Sequence, residues 1–263
     1  MGPAYATILP SGGSRLRDHF QAPFQFEDGR QEERHKGTPQ GGVVSPLLAN
    51  LFLHYAFDNW MAREFPGVAF ERYVDDAVAH CVSQAQAHQV LAALRERMRG
   101  VGLELHPDKT RVVYCKDSNR RGSYEHTAFT FLGFTFRGRE VRPRTGKRFT
   151  GFNPAISSDA LKKISRQVRS WRLHRHTEIS EADLAAWVNP RVRGWMQYYG
   201  AFYRSALYPL LTRINAYLMR WLRKKHKRLR GRKKAQEAWT RAVTTRPRFF
   251  AHWAWVNTVP AVW

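Results

Sequence analysis

The sequence predicts an α+β fold in which a small antiparallel sheet backed by helices is followed by an all-α basic domain. Short strand-like runs alternate with amphipathic helices over the first 136 residues, whereas the pattern from about Leu161 onward is helical only. The charge divides between the same two parts: residues 1–136 carry 15 Lys and Arg against 15 Asp and Glu, and residues 137–263 carry 29 against 6. One half of the chain is therefore neutral and the other is strongly basic.

The net charge of +23 indicates a polyanionic partner. A solvated basic face with no specific partner is the alternative. The concentration of the charge in one half favours a module that grips phosphates while the other half has a different task.

The composition narrows the class of protein. Apolar residues make up 43% of the chain and charged residues 25%, as in globular proteins, and no apolar run approaches the roughly 20 residues of a membrane span. The first residues lack the basic start and apolar core of a secretory signal, so a cytoplasmic protein with no membrane partner is predicted. Cys81 and Cys115 have no CxxC or CxxH spacing and are predicted to be reduced core thiols.

The first elements surround a loop. An Asp-Gly turn at residues 28–29 predicts a short hairpin, and the segment at residues 38–42 is predicted to be a loop because it contains Pro39 and two glycines. A helix is predicted to follow, with Ser45 as its N-cap and Pro46 at its first helical position. Its apolar face is predicted to consist of Leu48, Leu51, Phe52 and Tyr55.

Two acids interrupt the next apolar segment. The runs VAFERYV and AVAHCV meet at Asp75 and Asp76, which predicts a hairpin with both acids at or beside its turn. Adjacent carboxylates there offer the oxygen ligands that hard divalent cations prefer, and such ions serve phosphoryl transfer. The alternative is a plain polar turn, because adjacent acids are common at turns.

A helix is then predicted from Ser83 to Arg99. Its buried stripe is predicted to consist of Val90, Leu94 and Met98. Strands are predicted around residues 111–115 and 129–136. The Arg-, Gly- and Pro-rich stretch at residues 137–151 is predicted to be a linker between two domains.

The second half begins with an amphipathic helix in ALKKISRQVRSWRLH. Its apolar stripe is Leu161, Ile164, Val168 and Trp171, and its cationic stripe is Lys162, Arg166, Arg169 and Arg172. Ser180 is predicted to cap a further helix, which Pro190 is predicted to interrupt. The dense basic run at residues 220–234 is either a helix face or a partly disordered arm.

Several of these segments together resemble a known family. YVDD at residues 73–76, GTPQGG at 37–42, GLELHPDKT at 102–110 and FLGFTF at 131–136 resemble the palm of reverse transcriptases in order and spacing. NPRVRGWMQYYG at residues 189–200 resembles the maturase segment of group II intron-encoded proteins. By this resemblance, which covers residues 22–256, the chain is identified as a group II intron reverse transcriptase/maturase.

The resemblance implies RNA-directed DNA synthesis from deoxynucleoside triphosphates on an RNA template and a DNA primer. It implies that Asp75 and Asp76 are catalytic carboxylates that bind Mg²⁺ and that Tyr73 lies near the primer end. Gln40 would contact the template or the incoming nucleotide, while Gly41 and Gly42 would let the backbone approach the nascent base pair. Lys109 matches a position proposed to protonate the departing pyrophosphate; a surface lysine on a strand edge is the alternative.

The resemblance also implies that the basic half is a thumb and maturase domain that binds group II intron RNA and assists splicing. The residues expected to contact RNA phosphates are Lys162, Arg166, Arg169, Arg172, Arg191 and Arg193. Aromatic residues interleaved with these cations would stack on unpaired bases, although most are expected to be core. The implied domains are a partial palm at residues 21–136, the linker at 137–151 and the helical domain at 152–263.

One departure from the family pattern limits the expected activity. The family takes a third metal-binding carboxylate from an apolar strand upstream of GTPQGG, and Asp18, Asp28 and Asp58 do not lie in such a strand. Residues 1–20 are therefore expected to be an uncertain leader, and an upstream polypeptide acting in trans would supply the missing part. Polymerase activity of this chain alone is expected to be weak or absent.

Three further expectations follow. A non-catalytic RNA-binding maturase fragment is the alternative function. A helix-turn-helix DNA-binding protein is a weaker alternative, because it requires the YVDD and GTPQGG matches to be accidental. No DNA cleavage is expected, since no cluster of His, Asn and Cys typical of an endonuclease follows the maturase segment.

Overall fold

The structure is a computed structural model that describes residues 24–25, 30–32, 44–120, 122–142 and 146–259. The chain forms two compact units, Met1–Val112 and Val113–Trp263. The first contains short antiparallel strand pairs with helices, and the second contains a three-stranded sheet followed by helices. The α+β class predicted from the sequence is confirmed. The predicted leader at residues 1–20 and the predicted loop at 38–42 lie outside the described residues.

The first unit consists of two hairpins and a set of helices. Strands β1 (Phe24–Gln25) and β2 (Gln31–Glu32) pair antiparallel, as predicted around the Asp-Gly turn. Strands β3 (Ala69–Tyr73) and β4 (Asp76–His80) form the second hairpin. The helices are α1 (Ser45–Leu53), α2 (Asn59–Glu64) and α3 (Gln84–Gly100), and a π-helical turn at His54–Asp58 joins α1 to α2.

The helix after the loop differs from the prediction in its start and in its buried face. Val44 is the N-cap, so α1 begins one residue earlier than predicted. Leu51, Phe52 and Tyr55 share one face as predicted, but that face is exposed and lines an open groove of about 420 Å³. The buried residues are Ala56, Phe57, Trp60 and Met61. The π-helical turn follows Leu51 and Phe52, so its extra residue changes the phase of the helix only from His54 onward.

Helix α3 follows its prediction closely. Ser83 is its N-cap and accepts a 3.1 Å hydrogen bond from the amide of Gln86. Val90 and Met98 are buried, and Leu94 packs against the same small core. The chain leaves the helix through Gly102, whose φ of 76° favours glycine.

The sheet of the second unit has the order β5-β6-β7, with antiparallel pairing throughout. Its strands are β5 (Ala128–Phe131), β6 (Phe134–Val141) and β7 (Phe149–Ile156). The strand structure predicted around residues 129–136 is confirmed, and it takes the form of the β5–β6 hairpin. Residues 111–115 are not a strand, which corrects that prediction.

The predicted linker at residues 137–151 is also corrected in its described part. Most of β6 and the start of β7 lie there, and the full length of β6 pairs with β7 from Phe134↔Ile156 to Val141↔Phe149. Sequence patterns do not predict this strand pair, because the segment is rich in arginine and glycine. An exposed strand does not need to alternate apolar and polar residues.

The helices of the second unit surround an apolar core. They are α4 (Ser158–Ser170), α5 (Glu181–Tyr199), α6 (Tyr208–Lys225) and α7 (Arg232–Thr245). Short 3₁₀ turns lie between or after them at Leu173–Arg175, Arg204–Leu207, Lys227–Leu229 and Ala251–Ala254. Helix α6 contributes the most deeply buried stripe, with Leu211, Ile214 and Leu218 at 2% exposure or less.

Two predictions for these helices are resolved. Ser180 caps α5 in a capping box with Asp183, as predicted. Pro190 does not interrupt α5, which continues through it to Tyr199. The side chain of Asn189 fixes this part of the helix, since it donates to the carbonyl of Phe249 at 2.9 Å and accepts from the amide of Ala251 at 2.8 Å. The basic run at residues 220–234 is helical for most of its length.

A buried polar group lies at the centre of the second unit. The Asn215 carboxamide oxygen accepts hydrogen bonds from His252 Nε2 at 2.7 Å and from Trp253 Nε1 at 3.1 Å. Its nitrogen donates to the carbonyls of Val256 and Thr258 at 3.1 and 2.8 Å. Complete burial lowers the pKa of His252 to about 3, so the imidazole is neutral in the folded protein.

Both cysteines lie in the described part of the chain. Cys81 and Cys115 are half-buried free thiols, and burial raises the pKa of each. Among the described residues, no helix combines the length and apolarity that crossing a membrane requires.

The buried His252 predicts acid sensitivity of the second unit. The unfolded side chain takes up a proton as the pH falls below 6.5, whereas the folded one does so only near 3. The free energy of unfolding is therefore expected to be fully present above pH 6.5 and to fall on acidification, with a contribution from His252 approaching about 1.4 kcal/mol per pH unit. Urea unfolding followed by tryptophan fluorescence measures this, because eight of the nine tryptophans lie in this unit.

The matched variants for this measurement are His252→Gln and His226→Gln. His252→Gln keeps an amide donor for Asn215 but removes the titrating ring, so the dependence between pH 6.5 and 5 is expected to flatten. His226→Gln is expected to keep it. An unchanged pH dependence in His252→Gln would contradict the assignment.

Candidate functional site

The β3–β4 hairpin presents the two predicted acids at its tip. Tyr73 pairs with Asp76 across the last register position, so Val74 and Asp75 form a two-residue turn. Val74 has a φ of 57°, a left-handed conformation that is strained for a β-branched residue. Both carboxylates are exposed, and Tyr73 is 60% exposed beside them. The predicted hairpin is confirmed, and its acids are solvated.

Arg72 ties this hairpin to the helices. Its Nε and Nη2 donate to the two carboxylate oxygens of Asp58, each at 2.7 Å. Its Nη1 donates to Asn50 Oδ1 at 3.0 Å and to the carbonyl of the strained Val74 at 2.8 Å. Only 11% of the Arg72 side chain is exposed. One guanidinium therefore joins α1, the π-helical turn and the hairpin tip.

Sequence reasoning missed this role of Arg72 and considered Asp58 only as a metal ligand. The paired guanidinium holds the pKa of Asp58 below its usual value. Asp58 therefore remains a carboxylate, but its oxygens are occupied by Arg72. The signal in the sequence was weak, because partners 14 residues apart on a helix and a strand share no local pattern.

The residues described near the tip fit a divalent cation in part. Asp75 and Asp76 supply hard carboxylate oxygens without an ion pair to a neighbouring cation in the described structure. No group of three or more His, Cys, Asp or Glu side chains suited to a metal occurs among the described residues.

The described contacts do not link Lys109, the other residue predicted for catalysis, to this tip. Lys109 is exposed in a turn at residues 107–109, which replaces the predicted strand edge. Within the described contacts, no hydrogen bond or ion pair joins Lys109 to either aspartate. Gln40, Gly41 and Gly42 lie outside the described residues, so their predicted roles stay predictions.

The cations predicted on α4 differ in their surroundings. Arg166 and Arg169 are exposed on α4, opposite the buried Ile164 and Val168. Lys162 is also exposed but lies 3.5 Å from Asp159, a weak pair between solvated groups. Arg172 is not on the helix, which ends at Ser170, and it has a left-handed φ of 46°. The predicted cationic stripe is therefore corrected at its last position.

The second predicted cation pair lies on α5. Arg191 donates to the carbonyl of Trp187 at 2.7 Å, and its guanidinium lies 4.9 Å from the centre of that indole. Arg193 is exposed. The flanking rings are partly core: Trp171 is buried and stacks on Trp195, whereas Trp187 remains 36% exposed.

The FLGF hairpin contacts the YYG end of α5. Leu132 and Gly133 both have positive φ, 50° and 78°, as in a type I′ turn. The Tyr198 hydroxyl donates to the carbonyl of Leu132 at 2.9 Å. A Cβ on Gly133 would lie 3.0 Å from the Tyr199 hydroxyl, so glycine serves both the turn and the close approach. Two segments that the sequence separates by more than 60 residues thus form one surface.

Comparison with known proteins agrees with this architecture. Residues 2–136 match the family described as reverse transcriptase (RNA-dependent DNA polymerase), and residues 161–239 match the group II intron, maturase-specific domain. The chain belongs to the group II intron reverse transcriptase/maturase family. The reverse transcriptase match includes residues 2–20, which the sequence pattern had set apart as a leader.

This reverse transcriptase/maturase also resembles a curated bacterial protein. Over 134 aligned residues it is 30% identical to Protein YkfC of Escherichia coli (strain K12). The alignment covers 37% of this chain and 32% of that protein. The chain thus spans about a third of the length of that relative.

The Arg72 contacts predict that a conservative substitution will loosen the hairpin. Arg72→Lys keeps the charge but cannot form the planar fork to Asp58 together with the bonds to Asn50 and Val74. The free energy of unfolding of the first unit is expected to fall by about 1–3 kcal/mol. Amides of residues 69–80 are expected to exchange faster with deuterium than in the wild type.

Arg63→Lys is the matched control, because Arg63 is 70% exposed and pairs with Glu64 at the surface. It is expected to leave exchange in residues 69–80 unchanged. Equal exchange in the Arg72→Lys variant and the wild type would show that the guanidinium does not hold the turn.

Proposed function

We propose that this reverse transcriptase/maturase binds group II intron RNA through its second unit and assists splicing, and that it synthesises DNA weakly or not at all on its own. The charge distribution carries the proposal. Residues 113–263 contain 32 Lys and Arg against 8 Asp and Glu, whereas residues 1–112 contain 12 against 13. A surface of this kind attracts the RNA backbone by releasing its counterions.

The exposed cations of α4 and α5 form the proposed RNA-binding surface, with Arg166, Arg169 and Arg193 as its direct phosphate contacts. Arg172 contributes from the turn beyond α4. Lys162 contributes less because it already pairs with the carboxylate of Asp159. Arg191 contributes less because it already contacts the indole and the backbone carbonyl of Trp187. Neutralised phosphates approach one another more closely, so this surface would favour the compact RNA fold that splicing requires.

The partly exposed rings beside these cations add a second mode of contact. Trp187 and Tyr198 are 36% and 48% exposed, and both lie on α5, the helix that also carries Arg191 and Arg193. Unpaired bases stack on such rings with about 1–3 kcal/mol per base. The proposed partner is therefore a folded RNA with both phosphate backbone and unpaired bases, acting in the cytoplasm.

The hairpin tip supports the polymerase component of the proposal. Asp75 and Asp76 would hold Mg²⁺, which when bound activates the primer 3′ hydroxyl and neutralises the leaving pyrophosphate. Tyr73 would lie against the primer end, and Arg72 would keep the tip in place. Lys109 and the GTPQGG residues Gln40, Gly41 and Gly42 remain proposed contacts for pyrophosphate, template and deoxynucleoside triphosphate.

The two described carboxylates also set the proposed limit on synthesis. Mg²⁺ requires near-octahedral oxygen ligation, and two carboxylates provide little of it without further ligands. The structure describes Asp58 in a pair with Arg72, so this residue does not complete the set. A carboxylate from outside the described residues, or from a polypeptide acting in trans, would complete the set.

RNA binding is expected to depend steeply on salt. The slope of log K against log salt decreases by about 0.7–0.9 for each RNA phosphate that the protein no longer neutralises. The double variant Arg166→Gln/Arg169→Gln is expected to lower the slope by about 1.5, measured by fluorescence anisotropy of a labelled intron RNA. The matched control Arg95→Gln/Arg111→Gln removes two exposed charges of the first unit and is expected to retain the slope. A flat plot for the wild type would remove the proposal.

Primer extension tests the limit on synthesis. The purified protein with an RNA template, a DNA primer, deoxynucleoside triphosphates and Mg²⁺ is expected to give no more product than its Asp76→Asn variant. Extension by the wild type that Asp76→Asn abolishes would refute the limit and assign polymerase activity to this chain alone.

A further inference from the structure

A turn after α4 concentrates positive charge beside α6. The 3₁₀ turn at Leu173–Arg175 follows the left-handed Arg172 and is anchored by Leu173, which is 2% exposed in the core. Trp221 of α6 adds a hydrogen bond of 2.7 Å from its indole nitrogen to the carbonyl of His176. The turn is therefore held firmly against α6 and has no need of its charged side chains for anchoring.

Five basic side chains meet where this turn packs on α6. Arg172 and Arg175 project from the turn, and Arg220 and Lys224 lie four residues apart on one face of α6. All four are exposed, and none of the four has an ion pair or a side-chain hydrogen bond within the described part of the chain. His174 lies half-buried among them.

The cluster is electrostatically unfavourable without an anion. Partial burial, and then the charges of Lys224, Arg220, Arg175 and Arg172, lower the pKa of His174 below its ordinary value of 6.5. Every charged group that shifts this histidine is a cation: two lie on its own turn and two on the helix packed against it. An anion placed among these groups would relieve their mutual repulsion.

We propose that Arg172, His174, Arg175, Arg220 and Lys224 form one phosphate-binding site that holds adjacent phosphates of a nucleic-acid strand and takes up a proton on binding. The inference rests on the proposed RNA-binding function and extends it to α6, whose cations were not among the residues predicted to contact RNA phosphates. Guanidinium groups on the turn suit bidentate contact with phosphate oxygens, and Lys224 supplies a point charge. Protonated His174 donates a further hydrogen bond from its ring.

The uptake of a proton by His174 follows from the negative charge that the bound phosphates bring. The bound phosphates offset the four cations, so the pKa of His174 is higher in the complex than in the free protein. Affinity is therefore lowest and constant above the pKa of the complex. It rises as the pH falls through that pKa and becomes constant again below the pKa of the free protein, which lies under 6.5.

The test uses the full chain and a labelled RNA hairpin with a single-stranded flank. Binding is measured by fluorescence anisotropy between about pH 8 and 5.5 at several salt concentrations. Arg220→Gln/Lys224→Gln is expected to lower the slope of log K against log salt by about 1.5. Lys233→Gln/Lys234→Gln on α7 removes the same charge from exposed positions and is expected to change the slope by less than half as much.

His174→Gln tests the proton. The variant keeps a polar side chain but cannot gain charge, so the rise in affinity between about pH 7 and 5.5 is expected to shrink roughly threefold or more relative to the wild type. Circular dichroism of each variant shows whether the helices are retained. A DNA hairpin of the same sequence tests whether the site distinguishes RNA phosphates from DNA phosphates. Stronger binding of the RNA supports the site, and so does equal binding of the two.

Two outcomes overturn the inference while leaving the proposed function intact. Equal slopes for the α6 and α7 variants would show that Arg220 and Lys224 act only through net charge. An unchanged pH dependence in His174→Gln would remove the proton uptake. Failure of the wild type itself to bind RNA, by contrast, is the failure of the proposed function.

Discussion

The bidentate contact between Arg72 and Asp58 is the interaction on which the β3–β4 hairpin tip of the first unit depends. The hairpin pairs only with itself in the described residues, so its strands alone would hold the tip weakly. Phe70 packs edge-on against Phe57, and Arg72 adds fixed hydrogen bonds to two helical segments and to Val74. A left-handed valine costs about 1–2 kcal/mol, and these contacts offset that cost.

The second unit is also held together by one polar side chain that has several hydrogen-bond partners. The carboxamide of Asn215 is fully buried and hydrogen-bonded to four groups, and these groups place the segment from His252 to Thr258 against α6. Lys224 lies nine residues further on, on the opposite side of that helix. The packed interior thus fixes the direction in which the outer face presents its cations. With 32 basic residues and 8 acidic ones in residues 113–263, this unit gains stability when a polyanion binds.

Local chemistry could be predicted from the sequence, and contacts between distant segments could not. The hairpin with Asp75 and Asp76 at its tip, the Ser83 and Ser180 caps and the stripe of α3 depend on residues within a few positions of one another. The sequence showed no pattern for the π-helical turn before α2, and the apolar face predicted from Leu51, Phe52 and Tyr55 is exposed. Strand β7 was missed because its pairing with an Arg- and Gly-rich strand is decided by backbone hydrogen bonds, and Arg172 was misplaced because its left-handed backbone breaks the helical period.

The pairing of Arg72 with Asp58 also decides which acids remain available. Arg72 lies three residues before Asp75, close enough in sequence to neutralise the tip itself. The helices instead present Asp58 and Asn50 to the guanidinium, and among the described hydrogen bonds Arg72 reaches the turn only through the backbone oxygen of Val74. A cation already bound to Asp75 or Asp76 would have to be displaced before Mg²⁺ could bind, at a cost set by the strength of that pair. By taking its charge partner from the helix, Arg72 leaves Asp75 and Asp76 solvated and without an ion pair among the described residues, an arrangement that suits a hard divalent cation.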